Sequence, residues 1–162
     1  METKKVLFPV DLAGSSYRIV PQVRSIADQF DAELHIVNVV ESLGGYSTFF
    51  IPHQSLELME PEIMALAKRH LEEFVEKYFE DRPKVETVVL RGNPVEQIRK
   101  YIESAGIDMV VVASIDPHGL ERAIFGDIAK EIIRTSPVPV TTVNPFVAES
   151  ARVQRPEIHP MA

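Results

Sequence analysis

Asp11, followed by Ser15 and Ser16, is the first place in the chain where residue types could do chemistry: a carboxylate beside two hydroxyls. A serine nucleophile needs a base placed to take its proton, and no histidine lies near either serine in the sequence, so both are read as helix-capping residues. The five histidines, His35, His53, His70, His118 and His159, show neither ligand spacing nor an acid cluster at helical offsets, which argues against a metal centre. His35 is expected on a strand and His70 on a long helix, in packing or surface roles. His118 stands apart because it shares a stretch with Asp116, where a pH-sensitive contact to that carboxylate is open to it. The groups Glu57, Glu60, Glu62 and Glu72, Glu73, Glu76 look like paired acids, yet Lys68, Arg69 and Lys77 among them make a solvated helix face. Phe49, Phe50 and Ile51 form a short apolar patch that suits core burial and binding equally.

The composition narrows the classes of function. A chain of 162 residues with an average apolar content is long enough for one domain with a real core. A net charge of −7, with the basic residues scattered, excludes nucleic acid as the main partner, because phosphate backbones are bound through clustered Lys and Arg. With no cysteine, disulfides, thiolate metal sites and cysteine nucleophiles all drop out, and a reducing, cytoplasmic setting is expected. The start of the chain lacks the long apolar stretch of a signal peptide, and no later run reaches the length of a membrane span, so no membrane partner is expected.

These residues need a scaffold, and the patterning supplies one. Lys4 to Val10 is a short apolar run that reads as a strand. From Ser16 to Phe30, Ile19, Val20, Val23, Ile26, Ala27 and Phe30 recur at helical steps, with Pro21 expected to kink the first turns. Glu33 to Val40 is a second strand, and strand, helix, strand at this spacing is the parallel-sheet unit. Glu41 to Gln54 has no clean period and reads as a loop able to cover a site; an amphipathic helix follows over Leu56 to Phe79. After a strand at Val85 to Leu90, Gly92 permits a tight turn and Asn93-Pro94 caps and opens a helix carrying Val95, Ile98 and Ile102. Met109 to Ala113 is apolar throughout, as a strand covered on both faces must be. A helix over Asp127 to Thr135 leads to a last strand at Pro139 to Val143. The expected fold is α/β: an open five-stranded parallel sheet with right-handed crossovers, and a ligand crevice at the carboxyl ends of the strands. Residues 1–144 make the domain and 145–162 a proline-rich polar tail.

Leu7-Phe8-Pro9-Val10-Asp11 with Ser15 and Ser16, Leu34 to Val39, Arg91-Gly92-Asn93-Pro94, and above all Asp108 to Val143 resemble the universal stress protein family. The resemblance covers about residues 4–144. It implies a three-layer, doubly wound sandwich with strand order 3-2-1-4-5, and a homodimer formed through the last strand, Val138 to Val143. It also implies a nucleotide pocket. Pro9, Val10, Asp11 and Val39 match positions on its ribose and adenine side, Gly92 lies near it, and Ser114 and Arg122 are candidates to touch a phosphate.

The nucleotide-binding branch of that family carries Gly, two residues, Gly, nine residues, Gly, then Ser or Thr. The matching positions here are Ala113, Asp116, Gly126 and Asp127, so one glycine of three is kept and an acid replaces the hydroxyl. Glycines let backbone N–H groups approach an anion, whereas Asp116 and Asp127 bring negative charge there. Asp127 has a second role to hand as the N-cap of its helix. The resemblance therefore implies a stress-associated regulatory or protective binding protein rather than an enzyme, with ATP binding weakened or absent and AMP and ATP as the candidate cofactors. An unidentified protein partner fits the same class. The competing account is an adenine-nucleotide switch with slow or no hydrolysis, and an enzyme acting on a small phosphorylated or adenylated substrate ranks last.

Overall fold

In a computed structural model, the described residues are 2–12, 16–41, 53–114 and 124–145. Strands β1 (Lys5–Pro9), β2 (Glu33–Val40), β3 (Val85–Arg91), β4 (Met109–Ala113) and β5 (Val140–Val143) form one parallel sheet in the order β3-β2-β1-β4-β5. Helices α1 (Val20–Gln29), α2 (His53–Phe79), α3 (Pro94–Ala105) and α4 (Ile124–Thr135) supply the two outer layers. The alternation is the one the patterning predicts, and the strand order is the one the resemblance implies.

Both faces of the sheet are covered, which explains why β4 is apolar throughout and β1 nearly so. Successive side chains point to opposite faces. Val6, Phe8, Leu34, Ile36 and Val111 therefore meet Val23, Ala27, Leu71 and Phe79 of α1 and α2 in one core. Leu7, Val37, Val110 and Val112 meet Ile98, Ile102, Ala129 and Ile132 of α3 and α4 in the other. His35 takes the packing role expected of it: it is 4% exposed, with its two ring nitrogens 2.6 Å from Glu33 Oε1 and 2.8 Å from the Tyr101 hydroxyl. Burial, together with the Glu86 and Glu33 carboxylates, pushes the Tyr101 hydroxyl above its ordinary value.

Several boundaries differ from the sequence reading, each for a local reason. The first helical segment opens with a 3-10 turn, Ser16–Ile19, and Pro21 then sits in the first turn of α1. A proline there loses no intrahelical bond, so it helps to start the helix and does not kink it. Helix α2 begins at His53, inside the stretch read as loop, and residues 42–52 lie outside the described residues. Helix α4 begins at Ile124, three residues before Asp127, so Asp127 lies within its first turn and is not its N-cap. Asn93 does cap α3, with its side-chain oxygen accepting the Glu96 N–H at 3.0 Å, and Gly106 closes that helix in the left-handed conformation. The tail beyond Pro145 lies outside the described residues.

At the amino end of the sheet a set of ion pairs ties the α1–β2 turn to the α2–β3 turn. Arg24 donates to both carboxylate oxygens of Asp81 at 2.8 Å and to the Tyr78 carbonyl at 2.7 Å. Arg82 pairs with Asp28 and donates to the Ala32 carbonyl at 2.7 Å, and Lys84 Nζ reaches Asp31 Oδ1 at 2.9 Å. The hydrogen bond from Arg24 holds the Asp81 carboxyl below the ordinary aspartate value of 3.8, and the one from Lys84 does the same for Asp31. A carboxyl with a depressed folded-state pKa adds stability that is fully present above its unfolded value. That stability is lost as pH falls through the lower folded value. Urea unfolding followed downward from pH 5 is therefore expected to show stability falling once pH passes about 4, with a shallower fall in Asp81→Asn. Parallel curves for the two proteins would show that this pair adds nothing.

Candidate functional site

The strand order fixes where a ligand can sit. From β1 the chain moves to β2 and β3 on one side, then returns to place β4 and β5 on the other, so the connections leave β1 and β4 in opposite directions. A crevice opens between the carboxyl ends of two such strands. Leu7 is level with Val110, and the same register carried forward sets Val10 level with Ala113 and Asp11 level with Ser114. Pro9 ends β1 and is level with Val37 of β2.

The backbone at this end is tightly held. Val10 N–H donates to the Val37 carbonyl at 2.8 Å, and Ser114 N–H to the Val143 carbonyl at 2.7 Å. Asp11 N–H donates to Ser16 Oγ at 2.9 Å, while Asn38 Nδ2 donates to the Val10 carbonyl at 3.0 Å. Ser16 thus braces the loop after β1, and it does not cap α1 as the sequence suggests, because it lies in the 3-10 turn and the N-cap position of α1 falls on Ile19. Ser15 lies outside the described residues.

The structure gathers some of the candidate residues and separates others. Pro9, Val10, Asp11, Ala113 and Ser114 all lie at the carboxyl ends of the neighbouring strands β1 and β4. Val39 is one strand away on β2, level with Leu90. Gly92 follows β3, two strands from β1 and so about 10 Å across the sheet. Its N–H is used by the Val40 carbonyl at 2.9 Å. With φ of +131° and a Gln97 Nε2 atom 3.0 Å from where a Cβ would stand, Gly92 is required by the turn itself. Gly126 and Asp127 lie on the first turn of α4, the helix that follows β4, and Asp127 is exposed there. Asp116, His118 and Arg122 lie outside the described residues, as do Phe49, Phe50, Ile51 and His159.

Beside Asp11 a cleft of about 370 Å³ opens between the loop after β1 and helix α2, lined by Asp11, Leu12, Tyr17, His70, Phe74 and Tyr78, together with Glu73 and Lys77. The sequence placed His70 on the long helix Leu56 to Phe79 but gave no sign of Tyr17 or Leu12 beside it. The helical spacing shows which side chains share a face and is silent on which loop they face. Among the described residues no group of three His, Cys, Asp or Glu side chains could hold a metal ion, and no helix is long and apolar enough to cross a membrane.

This geometry has known counterparts. The model of the Universal stress protein family matches residues 2–144. The chain is 28% identical over 145 residues to universal stress protein MJ0531 of Methanocaldococcus jannaschii, a match covering 86% of this chain and 81% of the relative. The solved structure of protein MJ0577 superposes with a TM-score of 0.71 at 21% identity, covering 89% of this chain and 97% of that one. A universal stress protein from Archaeoglobus fulgidus in complex with dAMP gives a TM-score of 0.62 at 16% identity, covering 89% of this chain and all of that one (100%). Another, solved in complex with cAMP, gives 0.64 at 18% identity, over 90% and 99% of the two chains. With the doubly wound sheet order and a family match over residues 2–144 in agreement, this chain belongs to the universal stress protein family.

Proposed function

We propose that the protein is a cytoplasmic, homodimeric regulatory or protective member of its family, made of one domain over residues 1–144, that takes an adenosine monophosphate-type ligand at the β1/β4 crevice and binds ATP weakly or not at all. The observation that carries the reading is Asp127, an exposed carboxylate on the first turn of α4. A helix N-terminus offers positive partial charge to an anion, and a carboxylate within the first turn takes up that field itself. Each further phosphate adds charge that must sit near Asp127, so the handicap grows from adenosine to AMP to ATP. Two unit charges about 5 Å apart repel by roughly 3 kcal/mol at an effective dielectric near 20, before screening. The dAMP and cAMP of the two related structures each carry a single phosphate, which supports a monophosphate as the ligand class.

Calorimetric titration of nucleotide-stripped protein with ATP, AMP and adenosine tests this. AMP or adenosine is expected to bind more tightly than ATP; low-micromolar ATP binding would overturn the reading in favour of a nucleotide switch. If half of the repulsion survives screening, Asp127→Ser should strengthen ATP binding about ten-fold and leave adenosine unchanged. Equal gains for both ligands would show that Asp127 does not act through phosphate charge.

The dimer reading is supported by β5, which is an edge strand of the sheet among the described residues. Pro139 and Val143 direct their carbonyls to Val110 and Ser114 of β4, so the alternate residues Val140 and Thr142 direct their backbone groups outward. Ile133 of α4, in the helix that leads into this strand, is 48% exposed. An unpaired edge is a ready template for a second copy.

A further inference from the structure

The two side-chain bonds at the end of β1 act on a single chemical unit. The Val10 carbonyl and the Asp11 N–H belong to the same planar peptide, and each of its polar atoms is taken by a side chain from a different element. Asn38 of β2 donates to the carbonyl at 3.0 Å, and Ser16 of the 3-10 turn accepts the N–H at 2.9 Å. The roles are fixed by chemistry: a carbonyl oxygen can only accept, so the Asn38 atom facing it must be the amide nitrogen, and a backbone N–H can only donate, so Ser16 Oγ must accept. Strand β1 ends at Pro9, so this peptide lies where the sheet ladder gives out and where a loop would otherwise be free to turn. Ser16 is 2% exposed although it is polar and sits in a short turn, as a hydroxyl with an internal partner would be.

We propose that Ser16 and Asn38 are positioning residues that lock the Val10–Asp11 peptide and thereby set where the Asp11 carboxylate stands at the mouth of the β1/β4 crevice. Fixing the peptide plane fixes the N–Cα bond of Asp11, which limits the directions its Cα–Cβ bond can take. Neither side chain has to touch the ligand. The inference rests on the adenosine-type reading of the crevice, and its test separates the two.

The first arm needs no ligand. Hydrogen exchange of the Asp11 amide is followed by NMR in the full chain, and Ser16→Ala is expected to speed it by about ten-fold or more while distant amides of β1 keep their rates. The second arm uses AMP as the probe in a double-mutant cycle. Ser16→Ala and Asn38→Ala are each expected to weaken AMP binding about five-fold in the presence of Asp11, and by less than about two-fold in the Asp11→Ala background. Equal losses in both backgrounds would mean that the side chains serve the fold and not Asp11, and the proposal would fail. An unchanged Asp11 exchange rate in Ser16→Ala would also overturn it. If the unaltered protein binds neither AMP nor adenosine, the ligand reading falls, and the exchange arm alone decides whether the peptide is locked.

Discussion

Phe8→Ala is expected to cost the domain about 3–5 kcal/mol of unfolding free energy, read as a lower urea midpoint at an unchanged slope. Phe8 is fully buried on β1, the central strand, with β2 and β4 on either side. Its ring lies 6.4 Å from that of Phe74, which in turn stands 4.9 Å from Tyr78 and 6.2 Å from Phe79, so one deletion opens a hole under a whole aromatic cluster. The sheet cannot rise to fill that hole, because its other face is packed by α3 and α4. The helices above are tied at the amino end of the sheet by the Arg24–Asp81 and Arg82–Asp28 pairs, so they cannot settle freely into it. A domain of this size has roughly 5–15 kcal/mol in all, so the loss takes about a fifth or more. Phe74 and Tyr78 also line the cleft beside Asp11, and Phe8→Ala should disturb that wall before it unfolds the chain. A loss under about 1.5 kcal/mol would mean that α1 and α2 collapse onto the vacated space.

The core that makes this prediction possible was largely legible in the sequence, because it depends on periodicities that a single chain displays. Met109 to Ala113 is apolar at every position, which only a strand covered on both faces tolerates, and β4 runs over those residues. Asn93-Pro94 announced α3 because a cap and a first-turn proline act within one turn of chain. The start of α4 was missed where a local rule misled. Asp127 reads as an N-cap, yet the helix starts three residues earlier and carries Gly126, which costs about 1 kcal/mol when the other residues are well packed, as Ala129 and Ile132 are. The site was less legible. Asp11 and Ser16 were singled out together, but Asn38, which takes the Val10 carbonyl of the same peptide, is joined to them by neither spacing nor type; it reaches that carbonyl only once β1 and β2 lie side by side. The same holds for Arg24 and Asp81, which are far apart in the chain and touch at 2.8 Å.

On the proposed dimer, Thr142→Pro is expected to leave a folded monomer where the unaltered protein sediments as a dimer at about 10 μM. The alternation along β5 makes the substitution selective. Val110 N–H donates to the Pro139 carbonyl at 3.0 Å and Ser114 N–H to the Val143 carbonyl at 2.7 Å, so the backbone of residue 142 faces away from β4. Proline there removes an outward donor and adds a ring on the edge, while the bonds to β4 stay in place. Thr142 is exposed, so no core contact is lost. In a two-fold pairing the change acts twice. Two lost hydrogen bonds at about 1 kcal/mol each, plus the steric block, weaken association by about a hundred-fold. Thr142→Val, which keeps the donor, should remain dimeric. The consequence reaches the crevice, because the Val143 carbonyl of this strand holds the Ser114 amide at the end of β4. Pairing along β5 would steady that end, so the monomeric variant is expected to bind AMP more weakly than the dimer by a few-fold. A dimer that survives Thr142→Pro would place the contact on another surface, and a monomeric unaltered protein would remove the dimer reading.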